Sequence, residues 1–101
     1  MTFTTNGLRY EIREVSNVLD EIRKMHGSKM GFRGELSGVT FHEDGLILIG
    51  RDQSRAQKAK TLLHEATHAV LPALSERNVL RLENDLYPVL RRCGFLYPDE
   101  I

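Results

Sequence analysis

The sequence predicts an α+β fold in which β-hairpins and a short helix precede an antiparallel pair of longer helices. Two observations predict the strands: an Asn-Gly pair and a Glu-Asp-Gly turn each lie between runs of β-prone residues. A third observation predicts the helices, because apolar residues in the second half of the chain recur at spacings of three and four. A chain of 101 residues is long enough for one such domain, which we expect to span residues 1–101.

The first hairpin is predicted around the Asn6-Gly7 pair, which is the strongest short-range hairpin signal that a sequence offers. Its strands should run from Thr2 to Thr5 and from Leu8 to Arg13. A short helix should follow, because Ser16 can act as its N-cap and the apolar residues beyond it recur at helical spacing. Gly27 is the predicted end of this helix.

The second hairpin is predicted around the turn Glu43 to Gly45. Its first arm runs from Leu36 to Phe41, and its second arm is the apolar run Leu46 to Ile49. Gly38 interrupts the first arm, which predicts a bulge there.

Two longer helices form the third part of the chain. Asp52 or Ser54 can cap a helix that ends near Leu71, and Ser75 can cap a second helix from Glu76 to Arg92. The short connection predicts an antiparallel pair. The apolar stripe predicted for the first helix consists of Ala59, Leu62, Leu63, Ala66, Ala69 and Val70.

The segment TLLHEATHAVLP places His64 and His68 four residues apart in the first of these helices. Side chains at this spacing lie one turn apart, so both imidazoles can reach a single metal ion. Glu65 projects at a neighbouring angle, where its carboxylate can hold a metal-coordinated water. This His-Glu-x-x-His arrangement is typical of zinc peptidases, in which the histidines bind Zn²⁺ and the glutamate is the general base. We therefore expect His64 and His68 to be zinc ligands and Glu65 to be catalytic.

A catalytic zinc site needs a third protein ligand, which the second helix can supply. When the two antiparallel helices are aligned about the loop that joins them, position 83 lies level with His64. A carboxylate on the inward face of the second helix would also be costly without a cation. Glu83 is therefore the first choice. Glu76 is the alternative, although a carboxylate at a helix N-terminus also has an ordinary stabilising role. The apolar residues predicted for the inward face are Val79, Leu82, Leu86, Val89 and Leu90.

Other side chains near these elements have weaker signals. Tyr87, four residues after Glu83, could donate a hydrogen bond to the oxyanion that develops during attack, although such a tyrosine is ordinarily a core residue. His26 and His42 have no partner at ligand spacing, so we expect them to be solvated or structural. His42 would approach the site if its strand bordered the helix. Because many zinc peptidases bind substrate as an added strand, the segment SGVTFHEDGLILIG is predicted to line the cleft.

The composition argues against several other classes of function. Fourteen basic residues balance fourteen acidic ones, so we expect no nucleic-acid partner. No apolar run approaches the roughly 20 residues of a membrane span, and the amino terminus lacks a signal-peptide core. The prediction is a cytoplasmic protein without membrane contact. A single cysteine excludes an internal disulfide.

Four motifs occur in a characteristic order: an NG hairpin ending in YEI, then GELSGVTFHEDGLILIG, KTLLHEATHAVL and LSERNVLRLENDLYPVLRRCGF. Over nearly the whole chain, this order resembles the small ImmA/IrrE-like metallopeptidases of phages and prophages. The resemblance implies a single zincin-like domain of the gluzincin kind, in which His64, Glu65 and His68 match the family motif. Similar proteins carry the Ser-Glu that matches Ser75-Glu76 but a small residue where Glu83 stands. This favours Glu76, so both glutamates remain open as the third ligand.

The function expected from the motif is hydrolysis of peptide bonds by a zinc-activated water. The resemblance implies a protein or peptide substrate of the regulatory class, since better-known relatives, which are longer, act on transcriptional repressors or regulators. It also implies the cytoplasm of the host cell as the location of a phage-encoded protein. The alternative is a non-catalytic interaction or regulatory protein that the metal stabilises, since a small domain gains much stability from such a metal.

Overall fold

The computed structural model describes residues 1–26 and 36–93, which form a four-stranded sheet and three helices. The elements are β1 (Thr2–Thr5), β2 (Leu8–Val15), α1 (Val18–His26), β3 (Gly38–Phe41), β4 (Leu46–Gly50), α2 (Arg55–Val70) and α3 (Glu76–Arg92). The general α+β class predicted from the sequence is confirmed. The predicted end of α1 at Gly27 lies outside the described residues.

Both predicted hairpins are present, and residues with positive φ form their turns. Asn6 (φ 53°) and Gly7 (φ 74°) join β1 to β2, and Gly45 (φ 58°) lies directly before β4. Glycine and asparagine adopt this left-handed conformation at low cost. A Cβ at Gly45 would also clash with the carbonyl oxygen of Arg9, so both its conformation and its contacts require glycine.

The two hairpins join into one mixed sheet with the strand order β1-β2-β4-β3. Strands β2 and β4 pair in parallel, with Ile12 opposite Ile47, whereas the other two pairs are antiparallel. The sequence did not predict this parallel pairing. It places β4 inside the sheet, where its four residues Leu46 to Ile49 are buried, and leaves β3 at one edge.

Alternate residues of β4 pack into different hydrophobic clusters, so the sheet separates two layers of core. Leu46 and Leu48 pack with residues of α1 and the end of β2, whereas Ile47 and Ile49 pack with Tyr10 and with Ala69 of α2. This pattern follows from the two-residue period of a strand. Helix α1 therefore covers one face of the sheet and α2 the other.

Serine N-caps begin both long helices, as the sequence predicts. The hydroxyl oxygen of Ser54 accepts a hydrogen bond from the backbone N–H of Gln57, and that of Ser75 accepts one from Asn78. The short helix α1 begins differently. The side chain of Asn17, rather than that of the predicted Ser16, accepts a hydrogen bond from the backbone N–H three residues later, at Asp20. No helix among residues 1–26 and 36–93 is both long enough and apolar enough to span a membrane.

The inward face of α3 differs from the prediction. Val79 and Tyr87 are buried, and Glu83 between them is only 13% exposed. The side chains predicted to point inward at Leu82, Leu86 and Val89 are instead 37 to 52% exposed. The prediction was wrong here because residues 79, 83 and 87 form a ridge of four-residue spacing that faces α2, which turns the leucine stripe toward solvent.

Candidate metal centre

Helix α2 presents the two histidines of the motif side by side. His64 and His68 have ring centroids 5.0 Å apart with an interplanar angle of 65°, as expected for residues one helical turn apart. Their side chains are 13% and 19% exposed. The histidine side chains are thus largely packed.

Glu76 contacts both histidines from the start of α3. Its Oε1 lies 2.7 Å from Nε2 of His64, and its Oε2 lies 2.7 Å from Nε2 of His68. Among the residues that the structure describes, these three form the group whose ligand atoms lie close enough to hold a metal ion, all within 4.8 Å of one another. The N-cap at Ser75 fixes the first turn of α3 and therefore the origin of the Glu76 side chain.

Glu83 lies at the other nitrogen of the same ring. Its Oε1 is 3.9 Å from Nδ1 of His64, and both side chains are 13% exposed. Two contacts join α2 to α3: His64 with Glu83, and His68 with Glu76. They show that the helices are antiparallel and that position 83 is level with His64, as the sequence predicts. However, Glu83 approaches only one histidine, and on the nitrogen turned away from Glu76. The geometry therefore favours Glu76, the alternative, over Glu83 as the third ligand.

Glu65 lies beside the histidines, but its carboxyl group points toward the sheet. It is 9% exposed, and the hydroxyl of Thr40 lies 2.8 Å from its Oε1 and 3.0 Å from its backbone oxygen. Burial raises the pKa of the Glu65 carboxyl, while the hydrogen bond from Thr40 and the nearby charges of His64 and His68 act in the opposite direction. The carboxylate of Glu76 adds a smaller upward shift.

Strand β3 approaches α2 closely enough to form one wall of the site. A Cβ at Gly38 would lie 2.7 Å from Cγ2 of Thr61, 3.0 Å from the carbonyl oxygen of Leu48 and 3.2 Å from Cγ of Glu65. Gly38 is paired with Ile49 in the regular register of β3 and β4, so its role is this close approach rather than the predicted bulge.

A cleft of about 300 Å³ lies between β3, α2 and the start of α3. Its lining consists of Gly38, Val39, Thr40, His42, His64, Glu65, His68 and Glu76. Of the segment predicted to line the cleft, SGVTFHEDGLILIG, only Gly38, Val39, Thr40 and His42 are among the lining residues, and none of β4 is. Sequence reasoning missed Thr40, whose only signal is its position two residues after Gly38 on the same face of β3.

His42 also reaches the cleft, because it directly follows β3, which borders α2. Its Nδ1 lies 3.2 Å from the hydroxyl oxygen of Tyr10, which is 1% exposed. One other candidate, Tyr87, lies away from the cleft. Tyr87 lines a separate cavity with Lys60, and its buried hydroxyl has no hydrogen-bond partner among the described residues. The side chain of His26 lies outside the described residues.

The donor set at this centre fits zinc. Two imidazole nitrogens and one carboxylate form a common ligand set of catalytic zinc sites. The charge of Glu76 raises the pKa of Glu65, so a bound cation would also relieve the repulsion between these two carboxylates.

Comparisons with models of protein families, with curated proteins and with solved structures found no match to this chain. The ImmA/IrrE-like resemblance therefore stays a prediction from the motifs, and the geometry of the site is the basis for the function proposed below.

Proposed function

We propose that this protein is a zinc-dependent metallopeptidase with a zincin-like domain. The observation that carries the proposal is the position of Glu76, whose two carboxylate oxygens each lie 2.7 Å from Nε2 of a motif histidine. A third candidate ligand therefore lies beside the two histidines, in a cleft that the buried Glu65 also lines. The order of motifs shared with the small ImmA/IrrE-like metallopeptidases of phages supports the same function.

His64, His68 and Glu76 would hold the ion, and Glu83 would orient His64. When bound, zinc supplies Lewis acidity, which lowers the pKa of a coordinated water to about 7 and polarises a carbonyl group. If Nε2 of His64 were a ligand, the ring proton would lie on Nδ1, which is 3.9 Å from Oε1 of Glu83. A carboxylate on this side of the ring would favour the Nδ1–H tautomer that a ligand histidine needs.

Glu65 acts as the general base and later as the general acid. It takes the proton of the attacking water and returns it to the leaving amine. Burial raises its pKa above the ordinary value, which favours a carboxyl group that both accepts and releases a proton during the reaction. The hydrogen bond from Thr40 holds the carboxyl group in one orientation while the proton moves.

The substrate would be an extended segment of protein bound along β3. This strand pairs with β4 alone in the described sheet, so its outer edge can accept an added strand. Val39 and Thr40 lie in the cleft beside the metal ligands, which would place the scissile bond next to them. By resemblance to the ImmA/IrrE-like relatives, the substrate is an intracellular regulatory protein, and the location is the cytoplasm.

Cleavage of fluorescein-labelled casein by zinc-loaded protein tests the proposal. The wild type should cleave casein, and Glu65→Gln should bind one zinc ion per chain but cleave at least about 100-fold more slowly. Glu11→Gln is the matched control, because its carboxylate is exposed and paired with Arg13 on β2, outside the cleft. Equal rates for wild type and Glu65→Gln would exclude this mechanism.

A non-catalytic, metal-stabilised interaction or regulatory protein is the second candidate. The observation that favours it is that the three ligands join α2 to α3, so one ion would hold the helix pair together. Cobalt-substituted protein separates the two functions. A change in its visible spectrum with acetohydroxamate shows an open coordination position and favours the enzyme, whereas an unchanged spectrum favours the structural role.

A further inference from the structure

His42 lies in the cleft but does not belong to the metal-binding group. It lines the same cavity as His64, His68 and Glu76, yet the group of ligand atoms within 4.8 Å contains only those three. This histidine is therefore available for a group other than the metal ion. The inference drawn from it rests on the proposed peptidase function.

The strand register explains why His42 faces the cleft. Successive side chains of a strand point to opposite faces, so residues 38, 40 and 42 form one row. Gly38 packs against Thr61 and Glu65 of α2, and Thr40 donates its hydrogen bond to Glu65. His42, directly after the end of β3, continues this row and lies where a substrate strand along β3 would pass.

Tyr10 fixes the orientation of the His42 ring. The tyrosine is 1% exposed, and its ring stacks on Phe3 with centroids 5.4 Å apart and an interplanar angle of 13°. Its hydroxyl oxygen lies 3.2 Å from Nδ1 of His42. When this hydroxyl donates to Nδ1, the ring proton resides on Nε2. A phenolic hydroxyl is a better donor than acceptor, which favours the tautomer with the proton on Nε2, where it is free to donate.

We propose that His42 is a further catalytic residue, whose Nε2–H donates a hydrogen bond to the substrate carbonyl oxygen as it gains negative charge. Tyr10 is its positioning residue. The proton stays on His42 throughout, and Glu65 remains the base. A preorganised donor aimed at a developing oxyanion commonly accounts for about 100- to 1000-fold in kcat. This places on His42 the role considered for Tyr87, which lines a different cavity.

Casein cleavage by three variants tests the donor atom. His42→Ala should lower kcat about 100-fold with a much smaller change in KM. His42→Gln can place an amide N–H near the position of Nε2, whereas His42→Asn places one near Nδ1, so the glutamine variant should retain more activity. Equal kcat for wild type and His42→Ala, or better rescue by asparagine, would overturn the proposal.

Two measurements test the role of His42 without measuring cleavage. Imidazole ¹⁵N shifts of the metal-free protein, at a pH where His42 is neutral, should show the Nε2–H tautomer in wild type and a mixture in Tyr10→Phe. N-phosphoryl-leucinamide, which carries an anionic tetrahedral group, should bind zinc-loaded His42→Ala at least about 10-fold more weakly than wild type, with unchanged zinc affinity.

The outcomes separate this inference from the proposed function. If wild type fails to cleave casein but the tautomer and the phosphoryl-ligand binding follow expectation, the peptidase proposal fails and His42 stands as an anion-binding donor. An Nδ1–H tautomer in the wild type would make Nε2 an acceptor and would overturn the inference. So would equal binding of N-phosphoryl-leucinamide by wild type and His42→Ala, or no binding by either.

Discussion

Oε1 of Glu83 lies 3.9 Å from Nδ1 of His64, on the side of the ring away from Glu76. Glu83→Gln should therefore weaken zinc binding about 10- to 100-fold, the usual effect of losing a carboxylate behind a ligand histidine. Glu76→Gln removes a ligand and should weaken it more. Competition with a chromophoric chelator measures both affinities.

Asp85→Asn serves as the control for these two variants. Its side chain is 73% exposed on α3 and pairs only weakly with Arg81 at 3.6 Å, so zinc affinity should not change. A greater loss in Glu83→Gln than in Glu76→Gln would reverse the assignment and make Glu83 the third ligand.

The buried carboxyl of Glu65 should make the metal-free protein less stable as the pH rises. Because its folded-state pKa is raised above the ordinary 4.5, its contribution to stability is complete below that value and is lost as the pH passes through the folded-state pKa. Glu65→Gln is always neutral. In chelator, it should therefore melt at a higher temperature than wild type at neutral pH, and this advantage should disappear below pH 4.5.

Glu11→Gln is the matched control for this measurement. Its exposed carboxylate has a lowered pKa because of the hydrogen bond from Arg13, so its replacement should give no gain in melting temperature at neutral pH. A wild type that is as stable as Glu65→Gln at neutral pH would contradict the assigned burial effect.

Loss of the Thr40 hydroxyl should shift the pH profile of cleavage. Thr40→Val removes the hydrogen bond that lowers the pKa of Glu65, so that pKa should rise and the acidic limb of kcat against pH should move to higher pH. Thr40→Ser keeps the hydroxyl and should retain the wild-type profile. An unshifted limb in Thr40→Val would show that the hydrogen bond does not influence the reacting carboxyl.

The contact of Gly38 with α2 predicts a sharp steric effect. A Cβ at this position would lie 2.7 Å from Cγ2 of Thr61, so Gly38→Ala should lower the free energy of unfolding by about 1 to 3 kcal/mol. Thr61→Ser removes that methyl but keeps the hydroxyl that donates to Gln53. The double variant should recover part of the loss in chemical denaturation, and a purely additive result would contradict the assigned clash.

Local signals in the sequence predicted most of the elements. The Asn6-Gly7 turn and the caps at Ser54 and Ser75 act through residues only a few positions away, and the structure contains all three. The parallel pairing of β2 with β4 has no such local signal. It depends on contacts between Ile12 and Ile47, which lie far apart in the chain.

The site was predictable to the extent that it lies within one helix. His64, Glu65 and His68 are brought together by helical spacing alone. The sequence favours Glu83 over Glu76 because of the level of each residue along the helix pair. That level does not specify the direction in which each side chain projects from α3. Only the packing of the helices shows that Glu83 meets Nδ1 while Glu76 meets the Nε2 atoms.

The apolar stripe predicted for α2 did not include the polar residues that this helix buries. Thr61 and Glu65 are buried together with Ala69, one turn apart from each other, while Val70 of the predicted apolar stripe is 45% exposed. These two polar residues are buried because Gln53 and Thr40 provide hydrogen-bond partners. The spacing of hydrophobic residues along a helix carries no information about such hydrogen bonds.

The turn of the first hairpin contacts the C-terminal end of α2 through the side chain of Asn6. The side-chain amide of Asn6 donates hydrogen bonds to the carbonyl oxygens of Ala69 and Val70, at 3.3 and 3.0 Å, just beyond His68. Asparagine followed by glycine is prone to deamidation, which would replace this donor with a carboxylate facing the negative end of α2. Stored protein should therefore lose melting temperature and zinc affinity in step with deamidation of Asn6, which peptide mass spectrometry measures.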